Sequence, residues 1–397
     1  MPGTPGLFIP EHVTGWKKVV QAVHAKGAFI YAQLWHQGRT TISPMTGLPA
    51  VSPSGLPWDN NEDTYPYKPV GGTKTVFYYD HTPIVMTAED IKSTIGDYCT
   101  AAKVAMEECG FDGVEVHGGN GYAAQIRTFH QGSPLAYHRY LPEQFLSSNI
   151  NVRTDVYGGS PEKRCNFVLE LMDGLAEAVG EENTALRLSP FGLYNQTRGV
   201  ERLATWSHLC KELKKNHHKI SYVSFIEPVS FSISISTQPS GLLNLQRPSA
   251  TQRGRNYANK QQRYEQMHST VEKDAFLASW GLAAVDLALF RSIFGSTPLF
   301  SAGGWNNENW QGEIESGRYD ALLFGRWFTS NRDLVKRLRE GQPLRKYERD
   351  RFYGPFPDKE RGYTDYAAWG EEKDEGIAGI GEVVGGVSQR VSKVLPL

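Results

Sequence analysis

Residues 109–122 read CGFDGVEVHGGNGY, and the rest of the chain is organised around them. Gly110–Asp112 is a turn. Val114–Val116 alternates apolar and acidic residues, as a short strand does. His117 stands at the C-terminal end of that strand, followed by Gly118, Gly119, Asn120, Gly121 and Tyr122. Two polar side chains three residues apart, with a phenol just beyond, gather donors and an acid at one spot. The glycines let the backbone turn tightly enough for this. One reading is an anion or carbonyl site at the top of a β/α barrel, with Tyr122 as proton donor. The other is an ordinary strand-to-helix loop of an α/β protein.

Outward from this stretch, strand and helix patterns alternate. Val13–Lys26 carries apolar residues at helical spacing and stops at Gly27. Ala28–Leu34 is a near-continuous apolar run, fitting a buried parallel strand. Thr40–Thr87 is rich in Pro, Gly and Ser and reads as a long surface loop. Thr87 with Asp90 forms an approximate capping box that opens a helix to about Cys109. Further helices are expected over Ser160–Val179, Leu203–Asn216, Ala275–Phe290, Trp310–Ser316 and Asn331–Arg339. Strands are expected over Gly113–Val116, Thr184–Leu188, Ile220–Ile226, Pro298–Ser301 and Tyr319–Phe324. Repeated βα units of this length imply a parallel sheet, whose commonest closed form is the (β/α)8 TIM barrel.

Composition narrows the class. At 397 residues the chain can bury a large core. A net charge of −1 gives no electrostatic footprint for nucleic acid or an anionic membrane. No apolar run approaches the roughly 20 residues of a membrane span. The opening residues, MPGTPGLFIPEHV, lack a basic region followed by an apolar core. Cys99, Cys109, Cys165 and Cys210 are scattered, without metal-ligand spacing, which fits reduced thiols and a cytoplasmic location. No metal site is expected. His36, His130, His138, His217, His218 and His268 show no ligand spacing with carboxylates and read as loop or surface residues.

Polar residues recur just past the strand C-termini: Gln33, His117, Arg187, Gly303 and Gly325–Arg326. That is the face on which β/α barrels place their active sites. Gly303–Gly304 and Gly325–Arg326 follow the last two strands. Glycine lets backbone N–H groups approach an anion, and an arginine adds charge, so a phosphate-bearing cofactor is expected there.

Residues 25–39 (AKGAFIYAQLWHQGR), 110–122, 153–167 (RTDVYGGSPEKRCNF), 186–192 (LRLSPFG) and 325–341 (GRWFTSNRDLVKRLREG) together resemble the Old Yellow Enzyme family of flavin-dependent ene-reductases. The wording around Pro228, Arg263 and Phe300–Trp305 is similar to its fungal branch, which includes enzymes of secondary metabolism. The resemblance implies a TIM barrel over residues 1–369 holding FMN at its C-terminal mouth, and residues 370–397, rich in Gly and Val and without counterpart in the family, read as a mobile extension. It implies that NADPH reduces the flavin, which then reduces the C=C bond of a small enone or enal. Gln33 matches the residue that bonds the flavin pyrimidine, and Arg187 the one near flavin N1. Gly303, Gly304, Gly325 and Arg326 match the phosphate cradle. His117 and Asn120 match the pair on the substrate's oxygen, Tyr122 the proton donor, and Phe352 and Tyr353 aromatics lining flavin and substrate.

Three departures from the pattern stand out. Met1 falls where the family enters its second helix, so an incomplete barrel lacking the first two strands is expected. Residues 123–140 interrupt the match, and joining either Tyr122 or Tyr140 to Leu141 restores it. Tyr122 is preferred because it stays beside Asn120. Residues 229–262 interrupt it again. Neither insert contains Asp or Glu or shows periodicity. They are either substrate-capping loops or non-coding sequence translated by mistake, and the latter would leave a chain unable to hold flavin. A flavin-dependent isomerase is the remaining alternative, expected had position 122 been Phe.

Overall fold

The computed structural model describes residues 5–59, 66–67, 76–119, 140–192, 196–226, 278–281, 287–352, 357–358 and 360–371. Asn120, Tyr122, Tyr353, all of the extension beyond 371 and nearly all of both inserts lie outside them. The chain divides into two compact units, Met1–Phe324 with Asp350–Pro357, and Gly325–Arg349 with Asp358–Leu397.

The first unit is built on one parallel sheet of six strands: β1 (Tyr31–Leu34), β2 (Gly113–His117), β3 (Thr184–Leu188), β4 (Tyr222–Ile226), β5 (Leu299–Ala302) and β6 (Ala321–Leu323). Each strand pairs with the next in chain order, so β1 and β6 are the sheet's two ends. This is the α/β architecture of a TIM barrel. Among the described residues the sheet has six strands, and Phe29, just before β1, is 83% exposed.

Local chemistry sets the helices between the strands. Helix α1 (Pro10–His24) starts with proline in its first turn, and the chain turns at Gly27 with φ +70°. Helix α2 (Ala88–Lys103) opens with the capping box, both of whose hydrogen bonds are present between Thr87 and Asp90. It runs into a π-helical turn, Val104–Glu108, before Gly110. Helix α3 (Leu141–Leu146) is short and wholly buried, and the sequence reading missed it. Ser160 caps α4 (Pro161–Val179) by accepting the Lys163 N–H. Helices α5 (Arg202–Asn216), α6 (Ala288–Phe294) and α7 (Trp310–Glu315) complete the unit.

The sheet's two faces have different tasks. Val114, Val116, Leu186, Leu188, Val223, Phe225 and Leu299 are fully buried in the main hydrophobic cluster, with Leu171 and Leu175 of α4 and Leu209 and Leu213 of α5. Burying each such side chain contributes roughly 1.5–3 kcal/mol. The opposite face carries Gln33, Glu115, His117, Arg187, Tyr222, Ser224 and Phe300, by the two-residue alternation and the register of the ladders. The Tyr222 ring stacks on Phe300 at 4.3 Å and tilts against Tyr31 at 5.5 Å, forming an aromatic floor.

Four expectations are corrected. Thr40–Thr87 is not simply a surface loop: Ile42, Met45, Trp58 and Tyr78 bury their own small core, and Val51–Ser52 pairs in parallel with Ile84–Val85. Of the helix read at Ala275–Phe290, residues 278–280 and 288–290 are helical, 275–277 and 282–286 lie outside the described residues, and the helix continues beyond the expected end as Ala288–Phe294, where Phe290 stacks on Phe225 at 4.5 Å. His217 is buried, not superficial, with its Nε2 2.9 Å from the Asp173 carboxylate. The helix read at Asn331–Arg339 lies in the second unit and begins later, as α9 (Leu334–Glu340), after a short α8 (Arg326–Ser330). Asn331 breaks the run because its side chain bonds the Trp327 carbonyl and both backbone groups of Arg345.

Candidate active site

The C-terminal ends of β1, β2 and β3 are tied together by α3. The Leu141 N–H donates to the His36 carbonyl at 2.8 Å, and the Tyr140 N–H to the Gly118 carbonyl at 3.0 Å. Gln144 donates to the Gln37 carbonyl at 2.9 Å and accepts the Arg39 N–H at 3.0 Å. Glu143, fully buried, accepts the Ser189 N–H at 2.5 Å and the Ser189 hydroxyl at 2.9 and 3.0 Å. The Gly118 N–H donates to the Arg187 carbonyl at 2.8 Å. Glycine is required at 119, where a Cβ would stand 2.3 Å from Glu143 Oε2. Glu143 and Gln144 carry no motif that a sequence reading could assign.

His117 ends β2 and is 6% exposed. The Tyr140 ring meets it edge-on at 4.6 Å and touches Trp35 at 4.9 Å. Burial, opposed weakly by Asp97, pushes the His36 pKa down. A neutral ring fits its Nδ1, which accepts the Gly38 N–H at 3.0 Å.

One layer below His117, Gln33 Nε2 donates to Glu115 Oε1 at 2.5 Å. Burial raises the Tyr222 phenol far above its usual range. The charge of Glu115 and a hydrogen bond to it add to the rise, and Arg187 opposes it. Gln33, Glu115, Tyr222 and Arg187 therefore form one polar patch on the inner face. Arg187 Nε and Ser224 Oγ are buried there without a hydrogen-bond partner among the described residues. Buried polar atoms are normally satisfied, so such a pair marks a place built for a polar ligand.

The remaining expected residues fall as follows. Gly303 and Gly304 follow β5, and Gly304 has φ +86°, which glycine adopts freely. Phe352 is half-buried in the first unit. In the second unit Gly325 is exposed and precedes α8, and the Arg326 guanidinium lies 5.3 Å from the Tyr347 ring. Among the described residues no group of acidic, histidine or cysteine side chains has the geometry of a metal site. No described helix is long and apolar enough to cross a membrane.

Residues 1–131 and 135–249 match the NADH:flavin oxidoreductase / NADH oxidase family. Flavin oxidoreductase hxnT of Emericella nidulans is 35% identical over 371 residues, covering 92% of this chain and 79% of that protein. The 12-oxophytodienoate reductase 2 of Arabidopsis thaliana is 32% identical, covering 92% and 78%. Morphinone reductase solved in complex with tetrahydroNAD is 30% identical with a TM-score of 0.65, covering 92% of this chain and 79% of that one. An isoalloxazine is a planar polar ring system, and the exposed Gln33 amide, the unsatisfied Arg187 Nε and the aromatic floor fit its class. The chain belongs to the NADH:flavin oxidoreductase / NADH oxidase family and is an FMN-dependent oxidoreductase of the Old Yellow Enzyme type.

Proposed function

We propose that this enzyme uses NADPH to reduce the C=C bond of a small α,β-unsaturated carbonyl compound. The observation that carries the reading is the meeting of His117 and Tyr140 at the end of β2, level with Arg187 and above the Gln33–Glu115 pair. When bound, FMN supplies hydride exchange between the reduced nicotinamide and the β-carbon of the alkene.

The chain's own residues account for the rest. Gln33 and Arg187 would hold the polar edge of the flavin. The backbone N–H groups of Gly303 and Gly304 would serve its phosphate, and the resemblance gives the same role to Gly325 and Arg326, which belong to the second unit. Phe352 and Tyr353 would line the flavin and substrate. His117, fixed by the strand and by the Tyr140 ring, would donate to the carbonyl oxygen, with Asn120 as second donor. Donors already aimed at that oxygen stabilise the charge that gathers there as the β-carbon gains hydride.

A phenol is protonated at pH 7 and can give its proton to the α-carbon. The sequence leaves this role to Tyr122 or Tyr140. The contact between Tyr140 and His117 supports Tyr140, which also directly precedes α3. The reading is tested by purifying the 397-residue chain with FMN and following NADPH oxidation with and without 2-cyclohexenone. A yellow protein with about one flavin per chain and enone-dependent turnover is expected. A colourless protein, or one that NADPH reduces but no enone reoxidises, refutes it.

A further inference from the structure

We propose that Glu115 is a positioning residue that fixes the orientation of the Gln33 carboxamide, so that the inner face presents a hydrogen-bond acceptor to a cyclic imide N–H. This rests on the flavin reading above and deepens it.

Glu115 and Gln33 are register partners on adjacent strands, and Glu115 is 6% exposed. A carboxamide has a donor end and an acceptor end, whereas a carboxylate can only accept. The 2.5 Å contact from Gln33 Nε2 to Glu115 Oε1 is therefore satisfied in one amide orientation. The flipped amide would set two oxygens against each other at that distance. Hydrogen bonds to ionised groups are about twice as strong as neutral ones, so the preference is firm. The Tyr222 phenol faces the same carboxylate, whose charge adds to burial in raising the phenol's pKa. Gln33 is exposed while its neighbours Ala32 and Leu34 are buried, so its amide stands at the surface a ligand would meet. With Nε2 committed to Glu115, Oε1 is the atom left to accept from that ligand. An imide N–H, such as N3–H of an isoalloxazine, is the complement.

The test is a double-mutant cycle on FMN binding, read by quenching of flavin fluorescence in the full chain. Gln33→Leu and Glu115→Gln should each weaken binding about tenfold, the scale of one lost buried hydrogen bond. Because Glu115 acts through Gln33, the double variant should be no weaker than Gln33→Leu alone. The exchange variant, Gln33→Glu with Glu115→Gln, restores an acceptor at 33 held by a donor at 115. It should recover binding to within a few fold, and it keeps the test open if Glu115→Gln alone folds poorly. With 15N-labelled FMN, the imide N–H should be protected from exchange in the wild type and exchange faster in Glu115→Gln. Additive losses, an unaffected Glu115→Gln, or failure of the exchange variant to recover would overturn the proposal while leaving the flavin reading intact. A wild-type chain that binds no FMN would overturn the flavin reading itself.

Discussion

The Tyr140 ring lies edge-on against His117 with centroids 4.6 Å apart, and the Tyr140 N–H donates to the carbonyl of Gly118, the residue after His117. The chain thus leaves β2 and returns to the same point. A substrate oxygen bound by His117 would have the Tyr140 phenol as neighbour. Tyr140→Phe should therefore slow reoxidation of the reduced enzyme by an enone about 10²–10⁴-fold, the usual worth of a positioned general acid. Reduction by NADPH should be unchanged, and Tyr122→Phe should behave as wild type. Stopped-flow measurement of both half-reactions checks this. A loss confined to Tyr122→Phe would move the role to Tyr122.

Glu143 links two strand ends through Ser189 and the Gly118–Gly119 turn. Removing it takes the carboxylate from the Ser189 N–H and hydroxyl in a buried site. Glu143→Ala should cost about 3 kcal/mol, the sum of a lost buried network and a small cavity. Gly119→Ala would push a methyl to 2.3 Å from the same carboxylate oxygen and should weaken the same contacts. Urea unfolding of both variants measures the loss, and an effect below about 1 kcal/mol for Glu143→Ala would show that the brace is not used.

These two predictions differ in how far the sequence could lead to them. The strands around β2 were legible because apolar runs such as Val223–Ile226 follow turn residues, and His117 was legible because it sits between a strand and a glycine pair. Glu115 alternates with Val114 and Val116, a pattern that gives a strand but not whether its polar face meets solvent. Only the bond from Gln33 and the burial of Glu115 show that it faces a polar interior. Leu141–Leu146 is too short for periodicity to declare itself, so Glu143 and Gln144 passed unread. In Thr40–Thr87 the many Pro and Gly residues masked a core of four separated side chains, among them Trp58 and Tyr78.

Gly38 offers a test of backbone conformation. Its φ is +57°, and an added Cβ would stand 2.2 Å from Gln144 Oε1. Gly38→Ala combines a left-handed penalty with displacement of the side chain that holds Gln37 and Arg39, and should destabilise by about 1–3 kcal/mol. Gly47, with φ +77° and open space around its Cβ position, should lose only about 1–2 kcal/mol on the same change. Thermal unfolding of the two variants side by side separates steric clash from backbone strain. Equal losses would show that the Gln144 contact contributes nothing.

Acid sensitivity follows from a device used twice in the sheet. Asp112 and Asp320 each precede a strand, donate their own N–H to the carbonyl of a residue on the neighbouring chain segment, and accept that residue's N–H on the side chain. The partners are Ile30 for Asp112, at 3.0 and 2.7 Å, and Leu299 for Asp320, at 2.9 and 2.8 Å. His24 bonds the Asp112 carboxylate at 2.9 Å and the Arg291 guanidinium bonds that of Asp320 at 2.7 Å. Burial, the largest single influence, pushes both pKa values up, but the backbone and side-chain hydrogen bonds and neighbouring charge together outweigh it, so both end below the usual carboxylate value. A carboxylate depressed in the folded state binds protons more readily when unfolded. Its stabilising effect is complete above the unfolded value of about 3.9 and is lost as pH falls towards the folded one. The wild type should therefore lose stability steeply below about pH 4. The double variant Asp112→Asn with Asp320→Asn should be less stable at pH 7 and show a flatter acid limb. Urea midpoints measured between pH 3 and pH 7 check this, and parallel acid limbs for the two proteins would show that these carboxylates are not the groups responsible.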